Sequence, residues 1–425
     1  MYDVFSLRGI LIIILVFFSI IATFIKPKYG LIAFIVLLFA RDGFFIAWFP
    51  LLYTKWHLPL FFGVITVISW IINIEHYPFK FPFQMWLLVA FFLIVTFSRA
   101  VAGADIIDKF TEDFLKMCIL VFLIINLVRN FEDLKQVLWV LVLVNVFMVL
   151  FHYYDYKTGW TSIFVVTSYR GLDRNGFAAV LASLVGLDYF LMKVVKHKFL
   201  KFFLLFCFLV FIGGIILTYS RAGALSLFLV LFLCIVMDKR YRTRAIILFL
   251  LGSMILGVRI SDKYFERMRT IKEYHKDPSA MGRIATNYAA LNIMKEYPLL
   301  GVGARNFPEV LMDYIPHEHG GYVHPQKNIH NIILQIGSET GLIALLFFSL
   351  LIGNVFFESI KIRKNIFKKD GYSDSYYLVA AAGVSLWVYF FGLQFIPWNY
   401  YGYLYIFIGL SMAANQISKN NDLKF

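Results

Sequence analysis

His330-Asn331-Ile332-Ile333-Leu334-Gln335-Ile336-Gly337-Ser338-Glu339-Thr340-Gly341 leads straight into a long apolar run, Leu342 to Phe357. Together they exceed the roughly 20 residues that a membrane helix needs. A polar His-Asn pair therefore stands at the mouth of a membrane helix. Just before it lies the only long hydrophilic segment of the chain, about 259–328. Five of the nine histidines, His275, His317, His319, His324 and His330, fall between 275 and 330. An ionisable group in such a place is costly, so it is by default a functional residue.

Composition agrees with a membrane reading. Of 425 residues, 60% are hydrophobic and 19% aromatic, and the mean hydropathy is +0.75. That is too apolar for a soluble domain and fits an all-α polytopic membrane protein. The net charge of +14 would point to nucleic acid in a soluble protein. Here it fits basic cytoplasmic loops and anionic lipid. Cys118, Cys207 and Cys234 all sit in apolar runs without a CxxC pair. They indicate neither disulfides nor a thiolate metal site. The N-terminus reads as a first membrane helix rather than a cleaved signal peptide.

Apolar runs occur at about 9–25, 29–48, 58–74, 84–98, 115–128, 135–154, 174–193, 200–217, 222–237, 245–258, 331–356, 376–395 and 398–414. The second is interrupted by Arg41-Asp42-Gly43. The expectation is 12–13 transmembrane helices and one large insertion. Residues 1–258 hold about ten helices, 259–328 form the insertion, 329–415 hold three helices, and 416–425 form a disordered polar tail. Half of the chain's 40 lysines and arginines fall in one alternate set of loops and the tail. That set comprises 26–28, 80, 129–135, 193–201, 239–244, 361–369 and 419–424, and it should face the cytoplasm. Arg170, Arg174, Arg221, the insertion and His330 then lie together on the outer side.

The insertion has internal order. Ser279 can cap a helix over about 280–297, which Pro298 stops. Ile284, Tyr288, Leu291 and Met294 recur at helical spacing and predict its apolar face. Such a helix would lie on the membrane or over the mouth of the bundle. Gly301-Val302-Gly303 then turns the chain before Arg305.

Arginine offers a planar fork of donors that matches phosphate oxygens and stays charged. Arg170, Arg174, Arg221, Arg283 and Arg305 on one side, with one histidine, suit an anionic substrate embedded in the membrane. A lipid-linked phosphate or diphosphate is the natural example. The plainer reading of a single interfacial arginine is a snorkelling anchor. Arg221 resists that reading because its loop is very short and lies against the positive-inside trend. His330 is either a hydrogen-bonded structural histidine or a catalytic one. His317, His319 and His324 have an H-x-H-x4-H spacing, but no acidic or cysteine partner accompanies them, so no metal site is expected. No phosphate-binding G-x-x-x-x-G-K-S/T loop occurs, and no outer Asp-x-Asp pair.

Four stretches carry a family resemblance. Thr218-Tyr219-Ser220-Arg221-Ala222-Gly223 resembles a T-x-S-R-[GA] turn. Gly282-Arg283 through Glu296-Tyr297-Pro298-Leu299-Leu300-Gly301-Val302-Gly303 resembles an R…P-L-x-G-x-G segment. His330-Asn331 followed by Gly341 is similar to H-[NSQ]-x9-G, and Arg170 to Asn175 resembles R-G-x…N. All four are features of the bacterial O-antigen ligase family, with its related polysaccharide polymerases and protein O-oligosaccharyltransferases. The resemblance spans about 165–345.

The resemblance implies a GT-C-like helical glycosyltransferase of the bacterial inner membrane, with its site facing the periplasm. Its donor would be a glycan on undecaprenyl diphosphate. Its acceptor would be a hydroxyl of a lipid A core sugar, another glycan or a protein. The reaction would invert the anomeric carbon and use no metal, nucleotide or other cofactor. His330 would be the base, Arg221 and Arg283 the diphosphate clamps, and Arg170, Arg174 and Arg305 their support. Asn331 would orient the histidine or a sugar. A chain-elongating polymerase and a lipid-linked glycan flippase are the alternatives. The flippase should show related halves with matching broken helices.

Overall fold

The computed structural model describes residues 7–39, 58–105, 108–158, 174–241, 278–316, 327–397 and 402–422. Among these residues the regular elements are all helical. They are α1 (Leu7–Ile25), α2 (Pro27–Phe39), α3 (Leu58–Ile72), α4 (Phe83–Val101), α5 (Lys109–Leu127), α6 (Phe131–Lys157) and α7 (Arg174–Val194). Then follow α8 (Lys198–Leu217), α9 (Arg221–Met237), α10 (Pro278–Glu296), α11 (Phe307–Tyr314), α12 (Ile332–Asp370), α13 (Asp374–Gly392) and α14 (Gly402–Asp422). Six of them, α4, α6, α7, α8, α12 and α13, are long and apolar enough to cross a membrane, and four shorter apolar helices accompany them. The protein is an all-α, multi-pass membrane protein. The run at 245–258 and the Arg41-Asp42-Gly43 interruption lie outside the described residues.

Helix starts follow local chemistry. The first amides of a helix have no partner within it, so a side chain before it supplies one. Asp108 accepts from the Thr111 amide at 2.9 Å, Ser220 from Gly223 at 3.0 Å and Ser373 from Tyr376 at 3.3 Å. Asn331 accepts from both Ile333 and Leu334, at 3.0 and 3.1 Å.

Helices α7 and α13 are the most enclosed of the six spans, and they pack against each other at the centre. Lipid tails are as apolar as leucine, so close packing rather than the hydrophobic effect must hold membrane helices together. Small residues permit that approach. A Cβ on Gly186 of α7 would meet Val384 of α13 at 2.6 Å, and one on Gly392 of α13 would meet the Ala179 Cβ at 2.5 Å. Outer faces carry large apolar side chains such as Phe199, Phe202 and Phe228, all exposed on the isolated chain. In a bilayer these meet lipid.

Three local expectations are corrected. The basic stretch 361–369 is not a loop: α12 continues through it to Asp370, with Lys368 and Lys369 in its last turn. Cations there complement the helix dipole, and Gly371, at φ 62°, ends the helix. Nor are residues 416–422 a disordered tail, because α14 runs to Asp422. Its polar residues find partners on α12: Asn415 donates to Ser359 at 3.1 Å, and Lys419 pairs with Glu358. The third concerns α10. Its buried face is Ala285, Ala289, Ala290 and Ile293, while Tyr288 and Leu291 are exposed. Small residues win because α10 lies close over its neighbours, in a separate small core with Phe307, Leu311 and Ile329.

The basic loops meet at one end of the bundle through a continuous series of contacts. Lys28 pairs with Asp133 at 3.0 Å, and Arg129 donates to the Pro78 carbonyl at 2.6 Å. Gln84 reaches Glu358 at 2.9 Å. Arg363 reaches Tyr376 at 3.0 Å, whose hydroxyl donates to Met237 at 2.6 Å. Lys193 pairs with Asp238 at 3.3 Å.

Candidate active site

The opposite end is built around a break in α12. Gly341 has φ 80° and ψ 174°, outside helical space, in a region open essentially to glycine alone. The break frees helix carbonyls, and a second stretch uses them. The Val302 amide donates to the Ser338 carbonyl at 3.0 Å, the Gly303 amide to Glu339 at 2.8 Å, and the Leu342 amide to Pro298 at 2.8 Å. Ser98 of α4 adds a hydrogen bond to the Leu300 carbonyl at 2.5 Å. The turn 298–303 is thus seated in the gap as a backbone plug. The approach leaves no room for side chains. A Cβ on Gly341 would stand 2.0 Å from the Leu299 oxygen, and one on Gly301 2.4 Å from that of Ser338. The two motif stretches, P-L-L-G-V-G and H-N-x9-G, are therefore one structural unit.

That unit sets the place of His330. The short half of α12 before the break begins at Ile332, whose amide donates to the Leu393 carbonyl at 3.1 Å, just beyond α13. His330 Nδ1 lies 3.3 Å from the Phe395 carbonyl in the same turn. A carbonyl only accepts, so this contact favours the tautomer with the proton on Nδ1. Asn331 serves the helix itself, since its side-chain oxygen caps the start of α12.

Arg174 and Arg221 open α7 and α9 at this same end. A Cβ on Gly392, which precedes the turn held by His330, would stand 2.5 Å from the Ala179 Cβ of α7 and 3.7 Å from the Ser226 hydroxyl of α9, so the three helices approach closely here. The two helix starts are also bonded to each other, because Ser220 donates to Asn175 at 2.7 Å. Tyr219, at φ 50°, makes the tight turn, and a Cβ on Gly223 would meet Ala178 at 2.5 Å. Both guanidinium groups start a helix, where backbone amides add positive potential. Arg283 sits in the second turn of α10. Ala285, two residues on, shares its small core with Ile329, the neighbour of His330.

Arg305 occupies a different setting. It has φ 68°, and its guanidinium lies over the Phe110 ring at 5.1 Å. Arg99 covers the same ring at 4.9 Å. The Arg305 amide bonds to Glu339, which is wholly buried beside the α12 break. Arg99 also pairs with Asp108 and donates to the Ala304 carbonyl. Burial alone would raise the Asp108 carboxyl, but the Thr111 amide and the Arg99 guanidinium outweigh it and hold the carboxyl below its ordinary range. Arg170 and His275, His317, His319 and His324 lie outside the described residues. Among the described residues no group of three or more His, Cys, Asp or Glu side chains could hold a metal ion.

Sequence reasoning did not single out Asn175, Ser98, Arg99 or Glu339. Asn175 alone had a signal, as the last residue of the R-G-x…N stretch. The others stand in or beside apolar runs, where only the docked 298–303 turn shows their use.

No curated protein matches the chain. A family model described as O-antigen ligase matches residues 205–349. The matched stretch contains Arg221, Arg283, Arg305 and His330 and the whole glycine-lined junction of 298–303 with α12. Within this multi-pass membrane protein, residues 205–349 are thus similar to the O-antigen ligase family domain.

Proposed function

We propose that this protein is an O-antigen ligase-like glycosyltransferase. It moves a glycan from undecaprenyl diphosphate to an acceptor hydroxyl, a lipid A core sugar, at the periplasmic face of the inner membrane. The acceptor oxygen attacks the anomeric carbon while its proton passes to His330 Nε2. The bond from that carbon to the diphosphate breaks, and the diphosphate leaves with the electron pair. Attack opposite the leaving group inverts the centre. Arg221 and Arg283 neutralise the growing charge on the diphosphate, with Arg174 and Arg170 in support. Preorganised positive charge is most useful where charge develops. Arg305, over Phe110, steadies the 298–303 turn and reaches the donor from that side. Lipid-linked glycan and glycan acceptor are the substrate classes that the family domain implies.

The observation that supports this reading is the His330 Nδ1 contact with the Phe395 carbonyl, which favours Nε2 as the proton acceptor. The broken helix speaks against a flippase. Transporters leave such carbonyls to coordinate ions, whereas here those of Ser338 and Glu339 bond to Val302 and Gly303. A chain-elongating polymerase would use the same residues.

Purified His330→Ala, given lipid-linked glycan and a range of acceptors, tests the mechanism. Turnover should fall about 10²–10⁴-fold, the usual share of general-base assistance, while donor binding survives. Wild-type turnover per folded molecule would remove His330 from the chemistry. Cells lacking the protein separate the reactions. Glycan held on undecaprenyl diphosphate indicates a ligase, single capped repeats a polymerase, and inner-leaflet accumulation a flippase. Single cysteines at Asn365 and Gly320 test the side. An impermeant thiol reagent should label only the second in intact cells.

A further inference from the structure

A cavity of about 690 Å³ opens at the basic end, far from His330, between the end of α7, the start of α8 and the start of α13. Among the described residues, Lys193, Lys198, Lys201 and Arg240 line it together with one carboxylate, Asp374. We propose that this cavity binds the phosphate headgroup of an anionic phospholipid. The inference does not rest on the glycosyltransferase reading.

The first argument is charge. Among the described lining residues cations outnumber carboxylates, which gives the cavity a positive potential that attracts an anion, more strongly in the low dielectric near a bilayer. The second is that the wall is built, not a chance meeting of flexible lysines. Lys193 is held by Asp238 at 3.3 Å, and that carboxylate is wholly buried. Asp238 also takes a hydrogen bond from the Tyr189 hydroxyl at 3.0 Å, and the Lys193 ammonium lies over the Tyr189 ring at 4.5 Å. The third is the boundary. Phe202 and Leu205, one turn below the lysines on α8, also line the cavity, and both are exposed on the outer surface. Acyl chains leaving the cavity would run down that apolar face. The fourth is size. A water occupies roughly 30 Å³ in the liquid, so the space holds a whole glycerophosphate group rather than a bare ion. Basic pockets between membrane helices are the usual seats of such headgroups.

The test uses the full chain, purified in neutral detergent and offered phosphatidylglycerol, phosphatidylcholine or inorganic phosphate. Lipid retention is read by native mass spectrometry. Phosphatidylglycerol should be retained in preference to phosphatidylcholine, and inorganic phosphate should not displace it. Lys198→Gln with Lys201→Gln, both exposed at the start of α8, should weaken retention about 25-fold, the effect of two surface cations. Lys361→Gln with Lys364→Gln, at the same end of the bundle but outside the cavity, should change it less than about twofold. Equal retention of both lipids would overturn the proposal. An equal loss in the second pair would reduce it to a diffuse surface field, and displacement by inorganic phosphate would make the site one for the free ion. Each of these last two results also overturns it.

Discussion

At the basic end, Lys28 reaches Asp133, Lys193 reaches Asp238 and Lys419 reaches Glu358, so side chains tie the helices together. At the His330 end, the main links are main chain to main chain: Val302 to Ser338, Gly303 to Glu339, Leu342 to Pro298 and Ile332 to Leu393. The two kinds of bond differ in what they tolerate. A long charged side chain can be replaced where water reaches the partner left behind, as at Asp133 and Glu358 though not at the wholly buried Asp238. A backbone carbonyl freed inside a helix bundle has only the amide that was brought to it, and an unmet polar group in that setting is costly. The basic end should therefore absorb single substitutions, while the His330 end should fail at one added methyl group.

The largest expected effect breaks the comparison if it is absent. Gly341→Ala combines a glycine-only backbone conformation with a Cβ 2.0 Å from the Leu299 oxygen. We expect about 4 kcal/mol or more of destabilisation and loss of activity. Gly371→Ala is the matched control, with φ 62° but nothing within 4 Å of the Cβ. Its ψ of −139° lies outside the left-handed helical well, and the substitution should cost about 1–3 kcal/mol. Thermal unfolding of the two proteins in one detergent decides the matter, and equal losses would mean that the plug is not what makes Gly341 essential.

Arg221 comes next, with a change in activity. If its forked guanidinium grips a diphosphate, Arg221→Lys should lose on the order of 10²-fold in kcat/KM, nearly as much as Arg221→Ala. An anchoring role predicts a fully active lysine variant. The pH profile sharpens the same end. A neutral histidine base requires kcat/KM to fall on the acid side, as the imidazole gains a proton. His330→Ala should abolish that limb in whatever rate remains.

Smaller effects separate charge from backbone. The Asp108 carboxyl is held below its ordinary value in the folded protein. Its stabilising contribution is therefore complete above the unfolded carboxylate range and lost as pH falls through the depressed folded value. Asp108→Asn keeps the helix cap but not the Arg99 pair. It should cost about 1 kcal/mol at neutral pH, with the difference from wild type vanishing in acid. Smallest of all, Lys419→Ala removes an exposed ion pair and should shift stability by less than about 0.5 kcal/mol. Denaturation at two pH values reads both variants.

The sequence alone determined the class of this protein, because hydrophobic runs interrupted by basic loops admit little besides a helical membrane bundle. It also marked His330, Arg221, Arg283 and the glycines at 301, 303 and 341, whose residue types stand out against an apolar background. Tertiary structure decided what those glycines do. A glycine in a sequence states only that a backbone is free. That Gly341 breaks α12 and that 298–303 fills the gap depends on two stretches about 40 residues apart meeting in space. The same holds for Asn331, which the resemblance assigns to orienting the histidine or a sugar and whose side chain caps α12 in the fold. It holds for α10, whose larger apolar residues outline one face while the close neighbours select the alanines. Helical periodicity is a property of one segment, but which face is buried depends on how near the next helix can come. That distance is set by side chains elsewhere in the chain.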